Sequence, residues 1–123
     1  MAAAIVQQLG IIGYPVGHSL SPAMQQAAIE AAGLPYRYTA MEVLPEKLAA
    51  TVSELRNSSF RGFNVTIPHK TAVMPLLDET HEDARRIGAV NTVVQEEGRL
   101  IGYNTDAAGF LEGLRGVGRT FTG

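Results

Sequence analysis

Segments with strand composition alternate with helical segments along this chain, and that alternation restricts the fold more than any other feature. The apolar run at residues 8–13 and the stretch at 36–43 both have strand composition. Between them, Ser21 and Pro22 are a helix N-cap and first-turn pair, and Gly33 is a stop signal. A helix of about three turns is therefore predicted between the two strands. Its inward face is expected to use three residues: Met24, Ala28 and Ile29.

The middle of the chain continues the alternation. Pro45 opens a second helical segment, in which four leucine or valine residues recur at helical spacing: Leu44, Leu48, Val52 and Leu55. Residues 60–67 return to strand composition. Thr80 is then expected to cap a short helix that ends near Gly88.

A hairpin and a last helix complete the pattern. Residues 91–95 and 99–103 flank Glu96-Glu97-Gly98, which is the spacing of a β-hairpin. The last helix would use one apolar face, made of Ala107, Phe110, Leu111 and Leu114. We predict an α/β, three-layer domain with a mainly parallel, mixed β-sheet flanked by helices on both faces. That domain would cover residues 1–115, and the glycine-rich residues 116–123 are expected to begin a linker.

Composition excludes several function classes. Ten basic and twelve acidic residues, without a run of one sign, argue against nucleic acid or an anionic membrane as the main partner. The absence of cysteine excludes disulfides and thiolate chemistry. No signal peptide and no apolar stretch of transmembrane length is found, so we expect a soluble, cytoplasmic protein, and a small-molecule ligand stays open.

The first polar cluster is the loop at residues 18–22. Ser19 and Ser21 lie beside the free amides of a helix N-terminus, which is a favourable arrangement for a carboxylate or a phosphate. The alternative is structural, with Ser21 as a simple helix cap and Ser19 as a solvated turn residue.

The second cluster is Asn64-Val65-Thr66-Ile67-Pro68-His69-Lys70. Asn64 and Thr66 face one side of a strand, and Pro68 ends that strand and directs Lys70 from the turn. A lone lysine is more often a solvated charge than a catalyst. The only other lysine, Lys47, lies beside Glu46 in a helix and is interpreted as a surface residue, so Lys70 is the better candidate.

The third cluster joins the stretch at residues 88–92 with the stretch at 103–106. The two stretches begin and end the predicted hairpin, so Asn91 and Asp106 are expected to lie side by side. Asp106 could equally be an acid that stabilises a helix N-terminus, and Asn91 a turn residue. His18, His69 and His81 lack metal-ligand spacing and are interpreted as structural or surface residues, so no metal is expected. No dinucleotide-binding fingerprint is present either.

Four ordered motifs now resemble one family. Ser-x-Ser-Pro at 19–22, Asn-Val-Thr-x-Pro-x-Lys at 64–70, Gly-Ala-Val-Asn-Thr at 88–92 and Asn-Thr-Asp at 104–106 are similar to the first domain of shikimate dehydrogenases. The likeness spans roughly residues 9–115.

The resemblance implies a set of site residues. Ser19 and Ser21 would hold the substrate carboxylate, and Thr66, Lys70, Asn91 and Asp106 would bond its ring hydroxyls. Lys70 and Asp106 would be the catalytic pair in the NADPH-dependent reduction of 3-dehydroshikimate to shikimate. The family's second domain would bind NADP, so no cofactor-binding residue is expected in this chain.

Alternative interpretations stay open at this stage. The chain could be an enzyme half that is inactive without a C-terminal nucleotide-binding domain, a shikimate-binding regulatory module without chemistry, or a relative that prefers quinate. Intact Lys70 and Asp106 favour the enzyme half. The sequence also leaves the oligomeric state open, including a homodimer.

Overall fold

A six-stranded sheet organises the computed structural model, which describes residues 7–16 and 21–105. The strands are β1 Gln7–Gly13, β2 Tyr36–Glu42, β3 Phe60–Val65, β4 Glu79–Thr80, β5 Thr92–Glu96 and β6 Arg99–Tyr103. Their spatial order is β2-β1-β3-β5-β6-β4. β1 pairs parallel with β2 and β3, and β4 with β6, whereas β5 pairs antiparallel with β3 and β6. The predicted mixed, mainly parallel sheet is confirmed.

Helices cover both faces of this sheet. They are α1 Ser21–Ala31, α2 Leu48–Arg56 and α3 Glu82–Ile87, and a 3₁₀ turn at Pro45–Lys47 precedes α2. The apolar side of α2 packs into the main core, which includes Leu48, Val52, Leu55, Phe63, Val65 and Leu100. Ile29 of α1 lies on the opposite face, where it lines a cavity with Gly62 and Asn64 of β3. The predicted three-layer arrangement follows from these contacts.

The hairpin forms where it was predicted. Its turn contains Glu97 and Gly98, which have φ values of 51° and 82°. Positive φ at both central positions gives a tight turn whose twist matches that of the strands. The resulting register places Thr92 opposite Tyr103. The two open ends of the hairpin therefore lie together, beside the end of β3.

Three details of the predicted elements were wrong. On α1, Met24 is 68% exposed and Ala28 is also exposed, so of the three predicted inward residues only Ile29 is buried. Leu44 is also exposed, since it lies in extended backbone before the 3₁₀ turn. Thr80 belongs to β4, a short strand that the sequence did not reveal, and the side chain of His81 caps α3 instead.

An ion pair ties α2 to the distal end of the sheet. Arg56 pairs with Asp78 and also donates to the Leu76 carbonyl at 3.0 Å. The Leu100 amide donates to the Asp78 carboxylate at 2.7 Å. That backbone hydrogen bond, followed by the contact with Arg56, lowers the pKa of Asp78.

The lowered pKa of Asp78 predicts a loss of stability in acid. A carboxyl whose pKa is lower in the folded state stabilises that state above its unfolded pKa of about 4, and the effect disappears as the pH falls through the folded value. Asp78→Asn should therefore be less stable than wild type at neutral pH, and the gap should close in acid. Urea unfolding across this pH range measures it. The control is Glu82→Gln, which breaks an exposed pair with Arg86 and should change little at neutral pH. An equal gap at every pH would contradict the role of the Asp78 charge.

Candidate functional site

One edge of the sheet gathers the polar residues. β1 and β3 are parallel and end at this edge, β5 begins there, and β6 ends there. A cavity of about 250 Å³ opens at this point. Its lining residues are Ile11, Gln25, Tyr38, Asn64, Val65, Thr66, Lys70 and Asn91. Ligand sites in α/β sheets gather at such strand ends.

The turn that follows β3 is held firmly at both ends. The Thr66 amide donates to the Ile12 carbonyl at 2.9 Å, which extends the pairing of β3 with β1. The Val90 amide donates to the Lys70 carbonyl at 2.8 Å. Lys70 is half-buried and lines the cavity. Among the described residues none forms an ion pair with it, so its ammonium group is available to a ligand or to a carboxylate outside the described ranges.

The buried side chain of His69 holds the same turn against the end of β2. Its side chain is 1% exposed, and its Nε2 atom lies 2.5 Å from the Val43 carbonyl oxygen. A carbonyl can only accept, so Nε2 carries the proton in this contact. The His69 amide donates to the Thr66 carbonyl at 3.0 Å, and its own carbonyl accepts from Val73 at 2.9 Å. The turn that carries Lys70 is thus fixed to the end of β2, and His69 has the structural position that the sequence indicated.

Asn91 connects the hairpin to β3. Its backbone carbonyl accepts from the Val65 amide at 2.8 Å, and its own amide donates to the Tyr103 carbonyl at 3.0 Å. Its side-chain Oδ1 accepts from the Thr105 amide at 3.0 Å, and its Nδ2 donates to the Thr105 hydroxyl at 3.0 Å. Asn91 and Thr105 are therefore in direct contact across the open end of the hairpin.

Tyr38 and Asn64 both line the cavity and contact each other. The Tyr38 hydroxyl donates to Asn64 Oδ1 at 2.7 Å. Burial raises the pKa of the Tyr38 phenol, because the low-polarity surroundings disfavour its charged form. Tyr38 thus stays a neutral hydrogen-bond donor at any physiological pH.

The structure brings together half of the predicted site residues. Thr66 and Lys70 come from the turn after β3 and Asn91 from the segment before β5, and all three line one cavity. Ser21 begins α1, but its side chain is outside the described part of the molecule. Ser19 and Asp106 lie outside the described residues. Asp106 follows directly after Thr105 in the sequence, and Thr105 contacts Asn91. The position of Asp106 beside Asn91 nevertheless remains a prediction, because Asp106 itself is not described.

Three polar residues of this cavity were not among the predicted site residues: Gln25, Tyr38 and Asn64. The sequence analysis placed Asn64 on the same strand face as Thr66 but gave it no role in binding. Tyr38 and Gln25 reach the cavity only through the pairing of β2 with β1 and the packing of α1, which no local motif reveals.

Within residues 7–16 and 21–105, no group of three or more histidine, aspartate or glutamate side chains could hold a metal ion. In the same ranges, no helix has the length and apolar character that crossing a membrane requires.

Comparison with known proteins gives consistent matches. The family described as "Shikimate dehydrogenase substrate binding domain" matches residues 11–93. A curated relative, "Shikimate dehydrogenase (NADP(+))" of Geobacter metallireducens, is 58% identical over 106 residues. The match takes in 86% of this chain and 37% of the relative, so the chain spans little more than a third of that protein.

Solved structures share the fold. Shikimate 5-dehydrogenase from Thermus thermophilus in complex with shikimate is 48% identical, with a TM-score of 0.81 over 95% of this chain and 45% of that one. The same protein is also known in complex with NADP(H) and shikimate. A ligand-free 5-ketofructose reductase of Gluconobacter sp. strain CHM43 is 41% identical, with a TM-score of 0.82 over 90% of this chain and 40% of that one. Proteins of this architecture thus include reductases named for different substrates.

Proposed function

This chain belongs to the shikimate dehydrogenase substrate-binding domain family, and from that membership we propose that it is the substrate-binding and catalytic half of an NADP-dependent shikimate dehydrogenase. The observation that carries the proposal is the convergence of Thr66, Lys70 and Asn91 on one cavity at the carboxyl edge of the sheet. A hydroxyl, an amine and a carboxamide suit a small polyhydroxylated acid better than an apolar ligand.

Binding would divide between two sets of groups. Ser19 and Ser21 would hold the substrate carboxylate at the start of α1, where free amides and the helix dipole favour an anion. Thr66, Lys70, Asn91 and Asp106 would bond the ring oxygens. Turns and strand ends fix the backbone at Thr66, Lys70 and Asn91, so these groups are placed before the ligand arrives.

The proposed reaction requires a proton from the protein. Reduced NADP, which the proposed nucleotide-binding domain would hold, would supply a hydride to the carbonyl carbon of 3-dehydroshikimate. Lys70, oriented by Asp106, would give one proton to the oxygen, so that the carbonyl becomes the hydroxyl of shikimate and one oxidised cofactor is formed. In the opposite direction the same pair would accept that proton.

A nucleotide-binding domain is the proposed partner. The proposed substrate domain covers residues 1–115, and residues 116–123 would lead into the next domain, which would hold NADP. The short span relative to the Geobacter metallireducens protein supports this division. The cytoplasm is the proposed compartment, and the absence of cysteine is compatible with its reducing environment.

Titration of this chain with shikimate tests the binding proposal. We expect saturable changes in the NMR signals of the backbone amides near Thr66, Lys70 and Asn91, because these groups would contact the ligand. Quinate, 5-ketofructose and NADP serve as comparison ligands, and each should cause weaker changes at those amides. Stronger binding of quinate would instead favour the quinate-preferring alternative.

A fusion enzyme separates a missing domain from a wrong proposal. In it, this chain replaces the corresponding part of the Geobacter metallireducens relative, which provides the remainder of the protein. The fusion enzyme should oxidise shikimate with NADP. A chain that binds shikimate but gives a well-folded, inactive fusion would support the regulatory-module alternative. If neither the chain nor the folded fusion binds shikimate, the proposed function is wrong.

A further inference from the structure

An unbroken series of hydrogen bonds runs from β2 to the predicted site. The Tyr38 hydroxyl donates to Asn64 Oδ1 at 2.7 Å, and Asn64 Nδ2 donates to the Thr92 hydroxyl at 3.2 Å. The Thr92 hydroxyl then donates to Asn91 Oδ1 at 3.0 Å. In each of the three hydrogen bonds the donor lies on the Tyr38 side and the acceptor on the Asn91 side, so all three point the same way along the series.

Two backbone groups determine the orientation of the Asn64 and Asn91 carboxamides, because a backbone carbonyl can only accept and a backbone amide can only donate. Asn64 Nδ2 also lies 3.3 Å from the Asn91 backbone carbonyl, which can only accept. The nitrogen of Asn64 must therefore face Asn91, and its oxygen must face Tyr38. Likewise, the Thr105 backbone amide can only donate, and it lies 3.0 Å from Asn91 Oδ1. The side-chain orientations do not depend on how the amide atoms are assigned.

The orientation leaves Asn91 with one free polar group. Its oxygen accepts from the Thr92 hydroxyl and the Thr105 amide, and the Thr105 hydroxyl lies 3.3 Å from the same oxygen. One of its two side-chain N–H groups donates to the Thr105 hydroxyl. The second N–H has no partner among the described residues. Asn91 can thus offer the cavity a donor, and the ligand atom that it binds must be an acceptor.

We propose that Tyr38 and Thr92 are positioning residues, which hold the Asn64 and Asn91 carboxamides so that Asn91 presents one N–H to an oxygen atom of the ligand. Neither residue needs to touch that ligand. The functional part of this inference rests on the proposed function, whereas the orientation of the carboxamides does not. Because these hydrogen bonds already hold the Asn91 carboxamide before the ligand arrives, an acceptor atom of the ligand can bind without a change in the orientation of that carboxamide.

The first test needs no ligand. In the 123-residue chain, the side-chain N–H signals of Asn64 and Asn91 are compared by ¹H–¹⁵N NMR in wild type, Thr92→Val and Thr92→Ser. Valine matches the shape of threonine but removes the hydroxyl, so both signals should shift. Serine keeps the hydroxyl and should restore them. Unchanged Asn91 signals in a folded Thr92→Val chain would overturn the inference.

Tyr38→Phe is an independent test with a matched control. It removes only the first donor and should shift Asn64 more than Asn91. Tyr36→Phe changes the same strand face, but the Tyr36 hydroxyl makes no hydrogen bond within the described part of the chain, so both signals should stay in place. Equal effects of the two substitutions would also overturn the inference, even if Thr92→Val did not fold.

Shikimate binding supplies the functional readout. We expect Thr92→Val to weaken binding about twofold to tenfold, which is the effect of one poorly placed hydrogen bond. Thr92→Ser and Tyr36→Phe should bind as wild type does. Wild-type affinity in Thr92→Val, together with shifted Asn91 signals, would overturn the positioning role. If wild type itself does not bind shikimate, the proposed function fails, and the ligand-free spectra still decide the orientation.

Discussion

Replacing Lys70 by alanine in the fusion enzyme is expected to lower kcat about 10²- to 10⁴-fold, the usual contribution of a positioned acid or base. The change in KM should be much smaller, since Thr66 and Asn91 remain in the cavity to bind the ligand. Steady-state oxidation of shikimate by NADP measures both constants. Direct titration with shikimate shows whether the variant site still binds.

The chain offers a matched control for this substitution. Lys47 is the only other lysine, and it is exposed in the 3₁₀ turn before α2. Lys47→Ala removes the same charge from the molecule and should leave kcat and KM unchanged. Near-normal turnover in Lys70→Ala would rule out the proton-transfer role, and a loss confined to KM would reduce Lys70 to a binding group.

Local sequence signals were sufficient for most of the fold. The strand pattern at residues 8–13, the Ser21-Pro22 start of α1 and the Glu97-Gly98 turn depend on neighbouring residues alone. Such signals predict elements because they act within a few residues of the chain. The hairpin also brought Asn91 close to residues 103–105, since its register follows from the length of the turn.

Features that depend on tertiary packing escaped prediction. β4 has only two residues and exists because Glu79 and Thr80 pair with β6. Tyr38 reaches Asn64 from β2 because β1 lies between β2 and β3, an order that the sequence does not state. Strand order and register therefore account for the part of the site that was missed. The roles of Ser19 and Asp106 remain predictions.

His69→Ala is expected to lower the free energy of unfolding of the chain by about 3–5 kcal/mol. The substitution empties a fully buried position and removes the only side-chain donor that the described residues offer to the Val43 carbonyl. Urea unfolding of the 123-residue chain measures the change. His81→Ala is the comparison, because His81 is exposed and its cap bond to the Asp83 amide is long, at 3.4 Å. It should cost about 1 kcal/mol or less.

Two further substitutions divide the His69 effect into its parts. His69→Phe fills the position but cannot donate to Val43, whereas His69→Gln can place an N–H near the position of Nε2 with less volume. If the hydrogen bond dominates, glutamine should recover more stability than phenylalanine, and if packing dominates, the order reverses. Either order keeps His69 as the anchor of the turn. An unfolding free energy of His69→Ala equal to that of wild type would contradict this role, and the position of Lys70 would then depend on the other hydrogen bonds of the turn, such as those to Ile12 and Val90.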